Sequence, residues 1–215
     1  YYAWPAALYV VTSIMGAASG GTASATLGLR RALVLAVSIY LLGAIVCAIA
    51  PHMLLFLVGR TVQGLGAGLL VSLAYSMIRQ LFDEDLRPRV FAFMSIIWGA
   101  AALAGPLVAG IFAQMGYWRG VYWLSVPVFL ALVILARRIL PTDVGSAGEA
   151  KLPWRRLLLL GGAVLCVIIG GRAAESAIRL VLIASALICI TGMLWLDHRA
   201  KRRLLPSRPT SFRAP

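Results

Sequence analysis

Acidic side chains are scarce in this sequence: seven Asp and Glu stand against 20 Lys and Arg in 215 residues. Charged residues of both signs make up only 13%, while apolar residues reach 61%. A soluble globular domain carries about a quarter charged residues. So few charges cannot cover a body of this size in water, which excludes an ordinary soluble domain. Histidine occurs twice (His52, His198) and cysteine three times (Cys47, Cys166, Cys189). Each cysteine lies in an apolar run, none has a C-x-x-C spacing, and neither histidine is near a cysteine or carboxylate cluster. A disulfide framework or a zinc site is thereby excluded, and the cysteines read as small apolar residues facing other helices. Apolar runs without His/Asp/Glu clusters or Ser/His pairs also argue against a membrane enzyme. Neither a metal nor an organic cofactor is expected.

What is present is long uncharged runs. They cover residues 1–29, 32–59, 61–78, 90–118, 120–136, 157–171 and 180–196. About 20 residues of helix cross the roughly 30 Å of bilayer hydrocarbon. Helices are the only open-chain solution there, because lipid leaves no partner for a sheet edge. Pro51-His52 is a turn signal, so the second span ends near Ala50 and the third begins at Met53, with Arg60 inside it. The run 157–171 is short and is expected to borrow Trp154 and residues 172–174 at its ends. The expectation is an all-α membrane protein with seven transmembrane helices and a mean hydropathy of +0.92. The chain opens Tyr-Tyr-Ala-Trp-Pro with no basic segment, and its first run is too long for a signal peptide. Tyr1 is therefore read as a cut end.

The net charge of +13 would suggest nucleic acid as the partner of a soluble protein. Its distribution points to the lipid bilayer instead. Sixteen Lys and Arg fall on alternate connections: Arg30 and Arg31, then Arg79 to Arg89, then residues 137–156, then the tail from 199. Only three fall on the others, Arg119, Arg172 and Arg179. This positive-inside pattern places the first set in the cytoplasm and Tyr1 outside. Five tryptophans, Trp4, Trp118, Trp123, Trp154 and Trp195, sit near span ends as an interfacial belt. Trp98 lies about 12 Å into the fourth span at 1.5 Å per residue. The polar stretch 141–150 opens a linker. The organisation expected is a bundle at 1–140, a cytoplasmic linker at 141–156, two further helices at 157–198 and a basic tail at 199–215.

Two segments carry candidate chemistry. In Phe56-Leu-Val-Gly-Arg-Thr-Val-Gln-Gly-Leu-Gly-Ala-Gly68, an arginine within a span demands a partner, and Gln63 is one turn away. Gly64 and Gly68 form a small-xxx-small ridge for close helix packing, with Gly66 between them. The plainer reading is that Arg60 snorkels outward from the start of its span. In Ala101-Ala-Leu-Ala-Gly-Pro-Leu-Val-Ala-Gly110, Pro106 removes a backbone donor and bends the helix, and small residues allow a tight contact there. The plainer reading is a packing kink. Trp98 offers an aromatic wall for a cation, or simply packs.

Together these segments resemble the major facilitator superfamily, an inverted-repeat transporter fold. Phe56 to Gly68 is similar to the family's fourth-helix motif. Ala101 to Gly110 is similar to its fifth-helix antiporter motif, keeping Gly105, Pro106 and Gly110 but with Ala101 and Ala109 in place of two glycines. Gly116-Tyr-Trp-Arg119 through Ser125-Val-Pro127 resembles the entry to the sixth helix. Gly21 to Arg31 aligns with the cytoplasmic loop after the second helix, through Gly21, Gly28, Arg30 and Arg31, with Ala25 where the family has Asp. The resemblance makes the first span here the family's second helix, so that five of the six helices of an N-terminal bundle are present. It implies that the first helix and the C-terminal half belong to the rest of the transporter. The two further spans resemble those between the halves of the fourteen-span drug/proton antiporters.

The function implied is proton-driven multidrug efflux of small apolar or cationic compounds across a bacterial inner membrane. Arg60 would act as the buried coupling charge, Gln63 and Trp98 as further transport candidates. An uptake or facilitator member of the same fold and a non-transporting scaffold are the alternatives. No Asp or Glu lies inside a span, so a proton-carrying carboxylate would belong to another part of the protein.

Overall fold

The computed structural model describes residues 4–140, 154–170 and 176–198, and all of its elements are α-helices: α1 (Trp4–Leu27), α2 (Leu29–Ile49), α3 (Met53–Leu81), α4 (Arg87–Gln114), α5 (Gly120–Ile139), α6 (Trp154–Gly170) and α7 (Ser176–His198). Each boundary follows from the local chemistry. Gly28 at φ 80° breaks α1 from α2 without an intervening loop. Pro51 stops α2, and His52 caps α3 by accepting from the Leu55 N–H at 3.2 Å through Nδ1. The end of α4 is a Schellman turn: Gly116 at φ 68° donates to the Ala113 carbonyl, and Tyr117 donates to that of Phe112, both at 3.0 Å. Pro88 lies in the first turn of α4, where its missing N–H costs nothing.

The segment from Gly21 to Arg31 is not a loop. Thr22 to Leu27 contain no breaker, so α1 runs through them, and Arg30 and Arg31 open α2. The seven helices match the seven expected spans. Six of them are long and apolar enough to cross a membrane; α6 has 17 residues with an apolar stretch over Leu157–Val167. It begins at Trp154 and takes in the last three residues assigned to the linker. The rest of that linker, residues 172–174 and the basic tail lie outside the described residues.

Two compact units divide the chain, residues 1–152 and 153–215. In the first, α3 packs along both α1 and α2, and α5 packs on α2. The buried side chains are mostly small: Ala32, Ala36, Ala44, Cys47 and Ala48 on α2. Large apolar side chains face outward instead, with Leu54 73% and Leu103 74% exposed. That inverted distribution suits lipid, where burying leucine gains nothing and close backbone approach does. In the second unit α6 and α7 form an antiparallel pair, Gly170 facing Leu182 and Gly192 facing Leu159.

The membrane-facing ends alternate as the charge pattern requires. Gln80, at the end of α3, donates to Ser24, at the end of α1, at 3.5 Å. Leu140 joins a buried cluster with Ala32 and Leu33. The connections bearing Arg30, Arg79 and Arg138 therefore share one end of the bundle. At the other end Arg119 donates to the Ala50 carbonyl at 2.8 Å, tying the α4–α5 turn to the α2–α3 turn.

Candidate functional site around Arg60

α3 is held between its neighbours by glycines on two faces. Gly64 and Gly68, four residues apart, face α1: a Cβ at Gly64 would collide with Thr12 and the Tyr9 backbone, and one at Gly68 with Ser13 and Ala17. Gly59 and Gly66, seven apart, face α2 at Cys47 and Tyr40. The neighbours reciprocate with Gly16, against Leu65 and Leu69, and Gly43, against Gln63. Backbones this close exclude intervening side chains, so the polar groups of α3 must meet those of α1 and α2 directly.

Arg60 stands on the Gly64 face, one turn nearer the start of α3. Its Nη1 donates to Gln63 Oε1 at 2.7 Å, its Nε to the Pro5 carbonyl of α1 at 3.4 Å, and its guanidinium lies 4.2 Å from the centre of the Tyr9 ring. Gln63 is buried, and Tyr40 is its side-chain neighbour on α2. Tyr40, Cys47 and Tyr122 lie near enough to interact electrostatically with the Arg60 charge, so that α1, α2, α3 and α5 all contribute. Phe129 of α5 packs on Tyr40 in a tilted pair with ring centres 4.1 Å apart. The Cys47 thiol donates to the Phe56 carbonyl at 3.7 Å. No described buried side-chain N or O lacks a partner. The half-buried cation is therefore met by an uncharged amide, a backbone carbonyl and one aromatic face.

The pairing of Arg60 with Gln63 follows the spacing in the sequence, and Gly64, Gly66 and Gly68 all make close helix contacts. The three tyrosines and Pro5 were missed. A tyrosine near the middle or outer half of each of three apolar spans is the signal that could have found them, since a buried hydroxyl needs a polar neighbour. Arg119, counted only as a loop charge, also has a structural place. It lies 4.5 Å over the Trp118 ring, and Trp118 packs edge-on with Phe56 and Tyr122.

The second motif is arranged differently from expectation. α4 stays one helix through Pro106 and has no buried residue. A Cβ added at Gly105 or Gly110 would meet nothing within 4 Å, so the tight contact expected at the bend is not made among the described residues. The reason is that α1 and α2 pack on α3 and α5 packs on α2, whereas among the described residues α4 meets α3 and α5 at a few points. One of these is Tyr75 stacked on Phe91 at 5.9 Å. Trp98 is 54% exposed on α4 and does not join the Arg60 cluster. Gly21 at the exposed end of α1 faces open space. No group of three His, Cys, Asp or Glu suited to a metal occurs among the described residues.

A stack of apolar helices with small residues inside, bulky ones outside and one arginine held by neutral partners defines a multi-pass membrane protein. The profile of the Major Facilitator Superfamily matches residues 1–159, and the chain belongs to that family. A Mycobacterium tuberculosis protein named as a probable multidrug-efflux transporter is 31% identical over 216 residues, covering 95% of this chain and 45% of that relative. The methylenomycin A resistance protein of Bacillus subtilis is 25% identical over 208 residues, with the same two coverages. A multidrug resistance protein B homolog of M. tuberculosis is 28% identical over 168 residues, 78% of this chain and 31% of the relative. The chain spans about half the length of these curated relatives, or less.

Proposed function

We propose that the chain forms part of a proton-coupled exporter of small apolar or cationic compounds in a bacterial inner membrane. The observation that carries this reading is Arg60: a permanent cation inside a spanning helix, at contact with Gln63, Tyr9 and the Pro5 carbonyl and with no acid in any span. Such a charge is expensive in the bilayer unless it is paired or hydrated, which makes it a functional candidate by default. Neutral partners hold it loosely enough that a carboxylate elsewhere in the transporter can compete for it when deprotonated and release it when protonated. That exchange is the proton-dependent step, and alternating access between two helical bundles carries the substrate. The names of the similar proteins, multidrug-efflux and antibiotic-resistance transporters, support export over uptake. The aromatic rings near Arg60, with Tyr40 against Phe129, suit apolar substrates.

The test uses the complete transporter in inverted membrane vesicles with an imposed proton gradient and a fluorescent cationic dye. The wild type should concentrate dye in the vesicle lumen, and Arg60→Ala, inserted at normal amounts, should abolish proton-driven accumulation. Wild-type accumulation by Arg60→Ala would refute the coupling role. Proton-driven loss of dye from the lumen would replace export by uptake.

A further inference from the structure

We propose that Tyr9 is a positioning residue, the aromatic face that holds the Arg60 guanidinium while no carboxylate holds it. The proposal rests on the reading of Arg60 as the coupling charge. Three independent features converge on it. The guanidinium lies 4.2 Å from the Tyr9 ring centre, within cation–π range. The same guanidinium reaches the Pro5 carbonyl, one turn before Tyr9, so α1 offers it a ring and a carbonyl from one face. Gly64, one turn after Arg60, lies against the Tyr9 backbone and leaves no room there for any side chain. The missing side chain at Gly64 is therefore what brings α1 close enough for the Tyr9 ring to cover Arg60.

The arrangement has a functional consequence. With Gln63 Oε1 at 2.7 Å and the ring on another side, Arg60 has a defined neutral resting place on α1 and α3. A ring face attracts a cation less strongly than a carboxylate does, so this place is one the charge can leave. Removing the ring face weakens this resting place, although Gln63 and the Pro5 carbonyl remain, makes Arg60 compete harder for the carboxylate, and moves the pH at which the proton is released.

Fluorinated phenylalanines separate this role from packing, because each added fluorine drains the ring face of negative potential with little change in size. In the complete transporter, the pH profile of proton-driven dye export is measured with Phe and with mono-, di- and trifluoro-Phe at position 9. Tyr9→Phe should keep the wild-type profile, and each fluorine should displace it further in one direction, with about a tenfold lower rate at the wild-type optimum for the trifluoro ring. Tyr9→Leu should match or exceed the trifluoro effect. A profile that does not move with fluorine number overturns the proposal, as does a Tyr9→Phe protein as impaired as Tyr9→Leu. If Arg60→Ala itself retains proton-driven export, it is the coupling role of Arg60 that fails. A fluorine-independent profile with Arg60→Ala inactive leaves that role standing and removes Tyr9 alone.

Discussion

Replacing Gly68 with alanine adds one methyl group at the point where α1 and α3 cross most closely. The new Cβ would stand 2.7 Å from the Ala17 amide nitrogen and nearer still to the Ser13 carbonyl. That falls about 0.7 Å or more short of ordinary van der Waals contact. Both atoms are backbone, one turn apart on α1, and the methyl points at the hydrogen bond between them, so no rotamer change can relieve the clash. The helices must part, and the parting also carries the Tyr9 ring away from Arg60, now 4.2 Å from it. Overpacking of this kind costs about 1–3 kcal/mol. At roughly 2 °C per kcal/mol for a chain of this size or larger, the apparent melting temperature should fall by about 2–6 °C. The assay is fluorescence-detected size exclusion of the detergent-solubilised complete transporter after stepwise heating. Gly21→Ala is the control, because a Cβ there meets nothing within 4 Å. Alanine favours helix over glycine by up to about 1 kcal/mol in water, and by less where the unfolded chain remains helical in lipid, so this control should melt at or slightly above the wild type. A Gly68→Ala protein as stable as the wild type, or equal losses for the two variants, would refute the close-packing argument.

Arg119→Leu should lower the apparent melting temperature by the equivalent of about 1.5–3 kcal/mol, because the charged hydrogen bond to the Ala50 carbonyl is lost; Arg119→Lys should recover only part of this, since an ammonium cannot stack on Trp118 as a guanidinium does. His52→Leu should cost about 1 kcal/mol by removing the cap of α3, while His52→Asn should leave the melting temperature near that of the wild type. A single cysteine at Asp85 in a cysteine-free background should react with an impermeant maleimide in inverted vesicles and not in intact cells; the opposite labelling would reverse the assigned topology.

Helix boundaries were largely legible because lipid makes them a matter of charge and turn chemistry. The runs between charges and the Pro51-His52 pair located all seven helices, and Gly28 and Gly116 mark breaks that only a residue tolerant of positive φ can make. The uncharged run to Leu29 describes the end of α1 better than the resemblance does, which implies a loop over Gly21 to Arg31 where the single Gly28 suffices to break helix from helix. The site was half legible. Arg60 and Gln63 lie on one helix, so spacing alone relates them. Tyr9 meets Arg60 from α1, with Tyr40 and Tyr122 in the electrostatic neighbourhood, and which residue of α1 meets it depends on the crossing that Gly16 and Gly64 create.

Glycine content alone does not make a crossing. α3 carries Gly59, Gly64, Gly66 and Gly68, and α4 carries Gly99, Gly105 and Gly110 beside a proline, yet the α3 glycines are enclosed and those of α4 stand clear of every described side chain. The difference is reciprocity: Gly16 and Gly43 on the facing helices give α3 a surface as bare as its own. With no solvent to drive apolar faces together in a bilayer, only such matched surfaces gain enough contact to hold. The same close fit that stabilises α3 brings neutral acceptors and the Tyr9 ring onto Arg60, so packing and the handling of the half-buried charge come from one set of glycines. A substitution that loosens the fit should therefore lower stability and shift the pH dependence of export together, whereas a change at Gly105 should leave the melting behaviour of this bundle unchanged.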